Sequence, residues 1–156
     1  MSATFVSLFI LATSAVMLAF WLRSACRAVL RERFEEDYSA HLAEDNRLAY
    51  LEVRRILTER PRAAEFDALL SELEADYLAL TYLLRNAATV HVGSYTRSER
   101  LLILDFQLLR LWVRVTRFLG TEAWRSGFQE MVNILEYFGN VVGQRLVLFP
   151  IQASAE

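Results

Sequence analysis

The stretch ATFVSLFILATSAVMLAFWL, residues 3–22, runs for twenty positions without a charged side chain. A helix of this length spans about 30 Å, which is the thickness of the hydrocarbon core of a bilayer. We therefore predict a transmembrane helix here. A signal peptide is the alternative, but it would carry a basic start, a shorter apolar core and a small-residue cleavage site. Only Met1 and Ser2 precede the apolar run.

The residues after this run predict its orientation. Four arginines follow it within eleven positions, whereas no Lys or Arg precedes it. Because positive residues are retained on the cytoplasmic side, we expect a single-pass protein of the inner (plasma) membrane, with its N-terminus outside. The basic residues would contact membrane lipid. They would either determine the topology alone or also recognise anionic headgroups. The expected membrane-interface residues are Trp21, Arg23, Arg27, Arg31 and Arg33.

Small residues recur along one face of the predicted membrane helix. Ala12, Ala15 and Ala19 occupy positions i, i+3 and i+7 and so form a strip opposite larger side chains. Such a strip lets a second helix approach closely. We predict helix docking at these alanines, although alanine is also common in membrane helices that dock nothing.

Composition restricts the class of protein. A chain of 156 residues with 54% apolar residues accommodates one domain beside the membrane segment. The formal net charge of −2 argues against a nucleic-acid partner, which requires a concentrated basic surface. With Cys26 as the single cysteine, no intrachain disulfide can form. We predict an anchor with its basic flank over residues 1–33, a cytoplasmic helical bundle over 34–150 and a short tail over 151–156.

Helical periodicity covers the chain beyond the membrane segment. Since no Gly or Pro lies between Arg23 and Arg60, we expect the membrane helix to continue into a long arm that bends near Phe34 and ends at Pro61. Further helices are predicted over about 62–89, 96–119 and 121–149. The fold class is therefore all-α: one N-terminal transmembrane helix and a small antiparallel bundle of about four helices.

Two local patterns refine this prediction. Thr96 with Glu99 three residues later has the form of a capping box that opens a helix. Gly139 and Gly143 form a GxxxG step inside the last helix. Because two glycines cost about 1 kcal/mol each in helix propensity, close packing against a neighbouring element is the expected compensation.

No pattern of chemically active residues points to catalysis. His41 is followed by Glu44, the reverse of the Glu-x-x-His order in di-iron bundles, and His91 lies in a Gly-containing loop. The chain has no Gly-rich phosphate loop, and its carboxylates alternate around polar helix faces. We predict no catalytic residue, no metal site and no cofactor, and therefore not an enzyme.

Asp105 is an exception among the carboxylates, because it points into an apolar sector of its helix. An unpaired carboxylate would be costly there. We expect a buried ion pair with Arg85 or Arg145, the alternative being a carboxylate that faces a partner protein. The helical neighbours of Asp105 are Leu101, Leu108, Leu109 and Trp112.

A basic stripe occupies another face of the same helix. It has three interpretations: a solvated face, internal pairing with the acidic stretch 65–76, or contact with anionic headgroups. The stripe consists of Arg100, Gln107, Arg110, Arg114 and Arg117.

These features favour a non-catalytic accessory or scaffolding subunit of a membrane assembly, whose partners are other membrane subunits or further copies of itself. The alternative is a membrane-tethered regulatory or binding module that recognises a soluble partner or self-associates. Co-purification of stoichiometric partners would favour the subunit, and a homo-oligomer the module.

Overall fold

A computed structural model describes residues 2–31, 34, 36–59, 63–87 and 95–153. All regular structure in these ranges is helical, which confirms the predicted fold class. The chain divides into two compact units, Met1–Glu32 and Arg33–Glu156. The helices are α1 (Ser2–Leu30), α2 (Ser39–Asp45), α3 (Tyr50–Thr58), α4 (Phe66–Ala87), α5 (Arg97–Phe118) and α6 (Trp124–Ala153), and a 3₁₀ turn (Ala63–Glu65) precedes α4.

The first unit consists of α1. Its stretch Thr4–Leu30 is long and apolar enough to cross a membrane, and almost none of its most apolar part is buried. Phe9 and Phe20 are more than 70% exposed. Apolar surface exposed along a whole helix is typical of a segment that contacts a membrane or another protein.

The predicted continuous arm over residues 23–60 is wrong, because α1 ends at Leu30 and the following segment forms the two short helices α2 and α3. Between them Arg47 adopts a left-handed conformation with φ of 53°. The N–H of Arg47 donates to the Glu44 carbonyl and that of Leu48 to the Ala43 carbonyl. This is a Schellman ending, in which the left-handed position is usually a glycine. Because Arg47 occupies that position here, the sequence contains no glycine to mark the helix end.

The second unit is organised around α6, which packs against α2, α3, α4 and α5. Its buried positions form a wide apolar face, and a polar strip along the opposite side contains Arg125, Gln129, Asn133, Glu136 and Gln144, so α6 is a central helix that is still amphipathic. The backbone stays helical to Ala153, past the helix end predicted at Pro150, although a proline has no N–H to donate to the carbonyl four residues earlier. Fully buried side chains of α6 include Phe128, Met131, Val132, Ile134, Leu135, Phe138 and Val142.

The helices α4 and α5 flank α6. Seven apolar residues that recur at helical spacing in the sequence form a buried stripe on α4: Phe66, Leu69, Leu70, Leu73, Tyr77, Leu80 and Leu84. Tyr77 of α4 stacks on Phe106 of α5, with ring centroids 4.2 Å apart and an interplanar angle of 7°. The capping box of Thr96 and Glu99 is present, as the sequence predicts.

The GxxxG step lies where α2 begins. A Cβ atom added at Gly143 would lie 2.3 Å from the Cβ of Tyr38, and one at Gly139 would lie 3.2 Å from the Cβ of Ser39. Both separations are shorter than van der Waals contact. The two glycines therefore let the chain at Tyr38 and Ser39 approach the α6 backbone, as expected from their spacing.

We expect Gly143→Ala to lower the free energy of unfolding by about 1–2 kcal/mol, because overpacking against Tyr38 outweighs a gain in helix propensity of about 1 kcal/mol. Urea denaturation of the full chain in detergent, followed by tryptophan fluorescence, measures the change. The control is Gln144→Ala at the exposed neighbouring position, which should be neutral or slightly stabilising. Equal stability of the two variants would show that the close approach is dispensable.

Candidate interaction surfaces

Two buried polar residues of the bundle, Asn140 and Asp76, hold the ends of other helices. Asn140 of α6 is 7% exposed, and its Oδ1 accepts hydrogen bonds from the backbone N–H of Tyr38 at 2.7 Å and of Ser39 at 3.0 Å. Tyr38 is the N-cap residue of α2 but makes no capping bond with its own side chain. Asn140 therefore caps α2 from a different helix and satisfies N–H groups that the helix leaves open.

Asp76 of α4 has the same role for α3. Its Oδ2 accepts from the backbone N–H of Tyr50 at 2.6 Å, and Ala49, the N-cap residue, also donates its N–H to this carboxylate. Burial raises the pKa of Asp76 above its ordinary value, while these two N–H groups oppose the shift. Burial also raises the pKa of the Tyr50 hydroxyl to about 12, and this hydroxyl donates to the Ser39 carbonyl at 2.7 Å.

Ion pairs connect the surrounding helices to α6. Arg54 of α3 makes two contacts of 2.9 Å with Glu136, and Arg145 donates to the buried carboxylate of Glu99 at the start of α5. Among the described residues no group of three or more His, Cys, Asp or Glu side chains is arranged to hold a metal ion. Asn140, Asp76, Glu99 and Glu136 thus all have structural partners within the bundle.

The predicted membrane-interface residues lie near the C-terminal end of α1. Arg23, Arg27 and Arg31 line one groove along the helix together with Phe20, because a spacing of four residues keeps them on one side. Trp21 is 64% exposed and is not among the residues that line this groove. Arg33 lies outside the described residues.

The three alanines predicted to dock another helix lie within α1 and are exposed. Their spacing of three and four residues places Ala12, Ala15 and Ala19 on one side of the helix, in agreement with the expected strip. Helix docking at this strip remains a prediction.

Asp105 is 3% exposed on α5. Of its two proposed partners, Arg145 pairs with Glu99 and Arg85 is exposed on α4. In the structure, only some of the apolar residues that the sequence places around Asp105 are buried. Leu109 is fully buried, whereas Leu108 and Trp112 are 42% and 48% exposed.

The basic stripe of α5 pairs in part with the acidic stretch of α4. Glu74 contacts Arg114 at 2.9 Å and Arg110 at 3.9 Å. The guanidinium of Arg117 lies 5.8 Å from the ring centroid of Phe66. Internal pairing, one of the three interpretations of the stripe, thus applies to two of its arginines, although such exposed pairs contribute little stability.

An apolar surface on α5 is not buried in the bundle. The seven apolar residues of this surface, here called the α5 outer face, are each between 42% and 90% exposed. They lie opposite Leu102, Phe106 and Val113, which are fully buried, so α5 is apolar on two sides. The α5 outer face comprises Leu104, Leu108, Leu111, Trp112, Val115, Phe118 and Leu119.

Comparison with known proteins finds no matching family model, no similar curated protein and no similar solved structure. The assignment of surfaces therefore depends on geometry and chemistry. Within the part of the chain that the structure describes, two surfaces are apolar and exposed over helical lengths: α1 and the α5 outer face.

Sequence reasoning did not identify the α5 outer face or the caps from remote helices. The sequence does contain a signal for the α5 outer face, because α5 carries two sets of apolar residues and a single buried face requires only one. Asn140 had a weaker signal, as an amide inside the GxxxG step, where its neighbours from Tyr137 to Gly143 are apolar or glycine. Asp76 had none, since it is one acid among several on α4.

We predict that the stability of the wild-type chain relative to Asp76→Asn falls as pH rises. A carboxyl whose pKa is raised by folding binds its proton more tightly in the folded state, so its stabilising contribution is complete below pH ~3.9 and is lost as pH passes through the raised pKa. The amide can still accept the N–H of Tyr50 and does not titrate. Urea denaturation of both proteins across this pH range measures the difference in their free energies of unfolding. The contributions of all other titrating groups cancel in this difference, because both proteins contain them. A constant difference would contradict the assignment.

Proposed function

We propose that this protein is a non-catalytic accessory or scaffolding subunit of a membrane assembly, held in the inner (plasma) membrane by α1 with the bundle in the cytoplasm. The observation that carries the proposal is that the chain exposes apolar surface on both of its units. Lipid accounts for the exposed side chains of α1. The α5 outer face belongs to the bundle, and an exposed apolar patch of this kind marks a contact with a protein or a membrane; the proposal assigns it to a protein.

The arrangement of arginines supports the proposed orientation. Arg23, Arg27 and Arg31 lie together at the end of α1 that leads into the bundle, where their guanidinium groups would reach lipid phosphates. The asymmetry of basic residues across the apolar segment favours retention of this end in the cytoplasm.

We expect the bundle to be protected when intact spheroplasts are treated with protease, because the membrane lies between them. Immunodetection of a C-terminal tag measures survival, and lysed spheroplasts serve as the control for cleavability. Digestion in intact spheroplasts would place the bundle on the outer side and contradict the proposed topology.

We predict that replacing Ala12, Ala15 and Ala19 together by Leu preserves membrane insertion but releases partner polypeptides. Hydrophobicity rises, so the helix still inserts, whereas close helix approach is lost. Isolation of the tagged chain from native membranes in mild detergent, with quantification of each co-purifying polypeptide, measures the outcome.

A matched control places three leucines on the opposite side of α1, at Ile10, Ser14 and Met17. It should retain the partners in their wild-type ratio. Retention of the same partners by the triple alanine variant would exclude docking through the alanine strip. A wild-type chain that co-purifies with no other polypeptide would contradict the role as an accessory subunit.

A further inference from the structure

We propose that the α5 outer face binds the same face of a second copy of this chain, with the two α5 helices parallel. The proposal deepens the proposed function by naming the partner at one surface. It rests on the proposed function in one respect, namely that α1 holds both copies in the same membrane. Its basis is the spacing, area and charge of the exposed residues on α5.

The spacing of the exposed residues favours a helix as the partner. Starting from the half-buried Leu101, apolar residues recur at alternating steps of three and four along the whole length of α5. This is the a and d pattern of a coiled-coil seam, in which each side chain inserts between four residues of the facing helix. The a positions are Leu101, Leu108 and Val115, and the d positions are Leu104, Leu111 and Phe118.

The area of the face suits a stable dimer. With large apolar side chains of roughly 150–250 Å² each, seven residues that are about half exposed present roughly 600–800 Å². A standard protein interface takes about 800 Å² from each partner. Phe118 and Leu119, which are 90% and 65% exposed, lie at one end of the face and extend it beyond the last turn of α5.

Charge favours a parallel pair of identical helices. In a parallel seam the g positions face the e positions of the other helix, so Gln107 meets Trp112, and Arg114 meets Leu119. In an antiparallel seam the g positions face each other, and Arg100 would lie against Arg114. The parallel arrangement avoids this contact between like charges.

The same charges disfavour an anionic lipid surface as the occupant. Residues 34–156 contain thirteen Arg and eighteen Asp or Glu, so the bundle as a whole is acidic. Arg110 and Arg114 already contact Glu74. Confinement of both copies to one membrane would in addition raise their effective concentration.

Disulfide trapping in native membranes tests the proposal with the full chain. Single cysteines replace Leu104, Leu108, Leu111 or Val115 in turn, and the wild type, in which Cys26 is buried, measures the background. The matched control is Leu78→Cys, at an apolar residue of α4 that is 67% exposed and lies outside the seam. After mild oxidation, each seam cysteine should yield a dimer of two chains at least tenfold above the control.

Three results would overturn the proposal. Dimer yields no higher than those of Leu78→Cys would exclude contact at the α5 outer face. Trapping at one of the four positions alone would indicate crossed or antiparallel helices. A disulfide to a different polypeptide would assign the face to another protein.

A measurement without oxidation tests the same contact. Mass photometry of the chain in native-lipid nanodiscs should count two copies per particle for the wild type and for Leu78→Glu, but one copy for Leu111→Glu. Both variants add a carboxylate at an exposed leucine, so neither disturbs the core. Two copies in the Leu111→Glu particle would contradict the seam.

These results separate the two proposals. Co-purifying subunits without seam dimers would retain the accessory role and reject self-association through α5. Seam dimers without any other polypeptide would retain the dimer and replace the accessory role by a self-associating membrane-tethered module.

Discussion

The bundle depends on the burial of α6, whose apolar face is wide and extends around several sides of the helix. A helix of this kind is stable in water only when neighbours cover each of these apolar sides. The helices α4 and α5 cover two of them with long apolar stripes. The remaining sides are covered by α2 and α3, which approach closely at Gly139 and Gly143 because these residues carry no side chain. The short helices therefore complete the core around α6.

Helices of seven and nine residues are marginal on their own, because few of their hydrogen bonds offset the cost of nucleation. Neither α2 nor α3 has a capping side chain at its own N-cap. Asn140 and Asp76 supply these caps from α6 and α4, and the hydroxyl of Tyr50 joins α3 to the start of α2. The two short helices are thus formed together with the packing of the larger ones. The raised pKa of Asp76 reflects this arrangement, because its carboxylate is buried at the start of α3, where it accepts the backbone N–H groups.

The surfaces that remain outside this core explain why an assembly role is proposed. Buried polar residues hold helix ends, and ion pairs such as Arg54 with Glu136 hold neighbouring helices on α6. The exposed apolar residues of α1 and α5 contribute nothing to the core of the bundle, and apolar surface of this extent is costly in water. Lipid around α1 and a helical partner on α5 would remove both costs. The function proposed for the chain is therefore contact with other molecules rather than chemistry at a site.

The sequence by itself determined the all-α class, the apolar helix, the stripe of α4 and the capping box at Thr96, because each depends on residues within a few turns of one another. It also indicated close packing at Gly139 and Gly143. It did not determine the break of the predicted arm, since Arg47 adopts a conformation that glycine usually marks. Only the tertiary structure decided which of the two apolar sides of α5 is buried, and which side chains cap α2 and α3. These outcomes depend on contacts between residues as far as 102 positions apart, and local periodicity holds no information about which distant helix provides them.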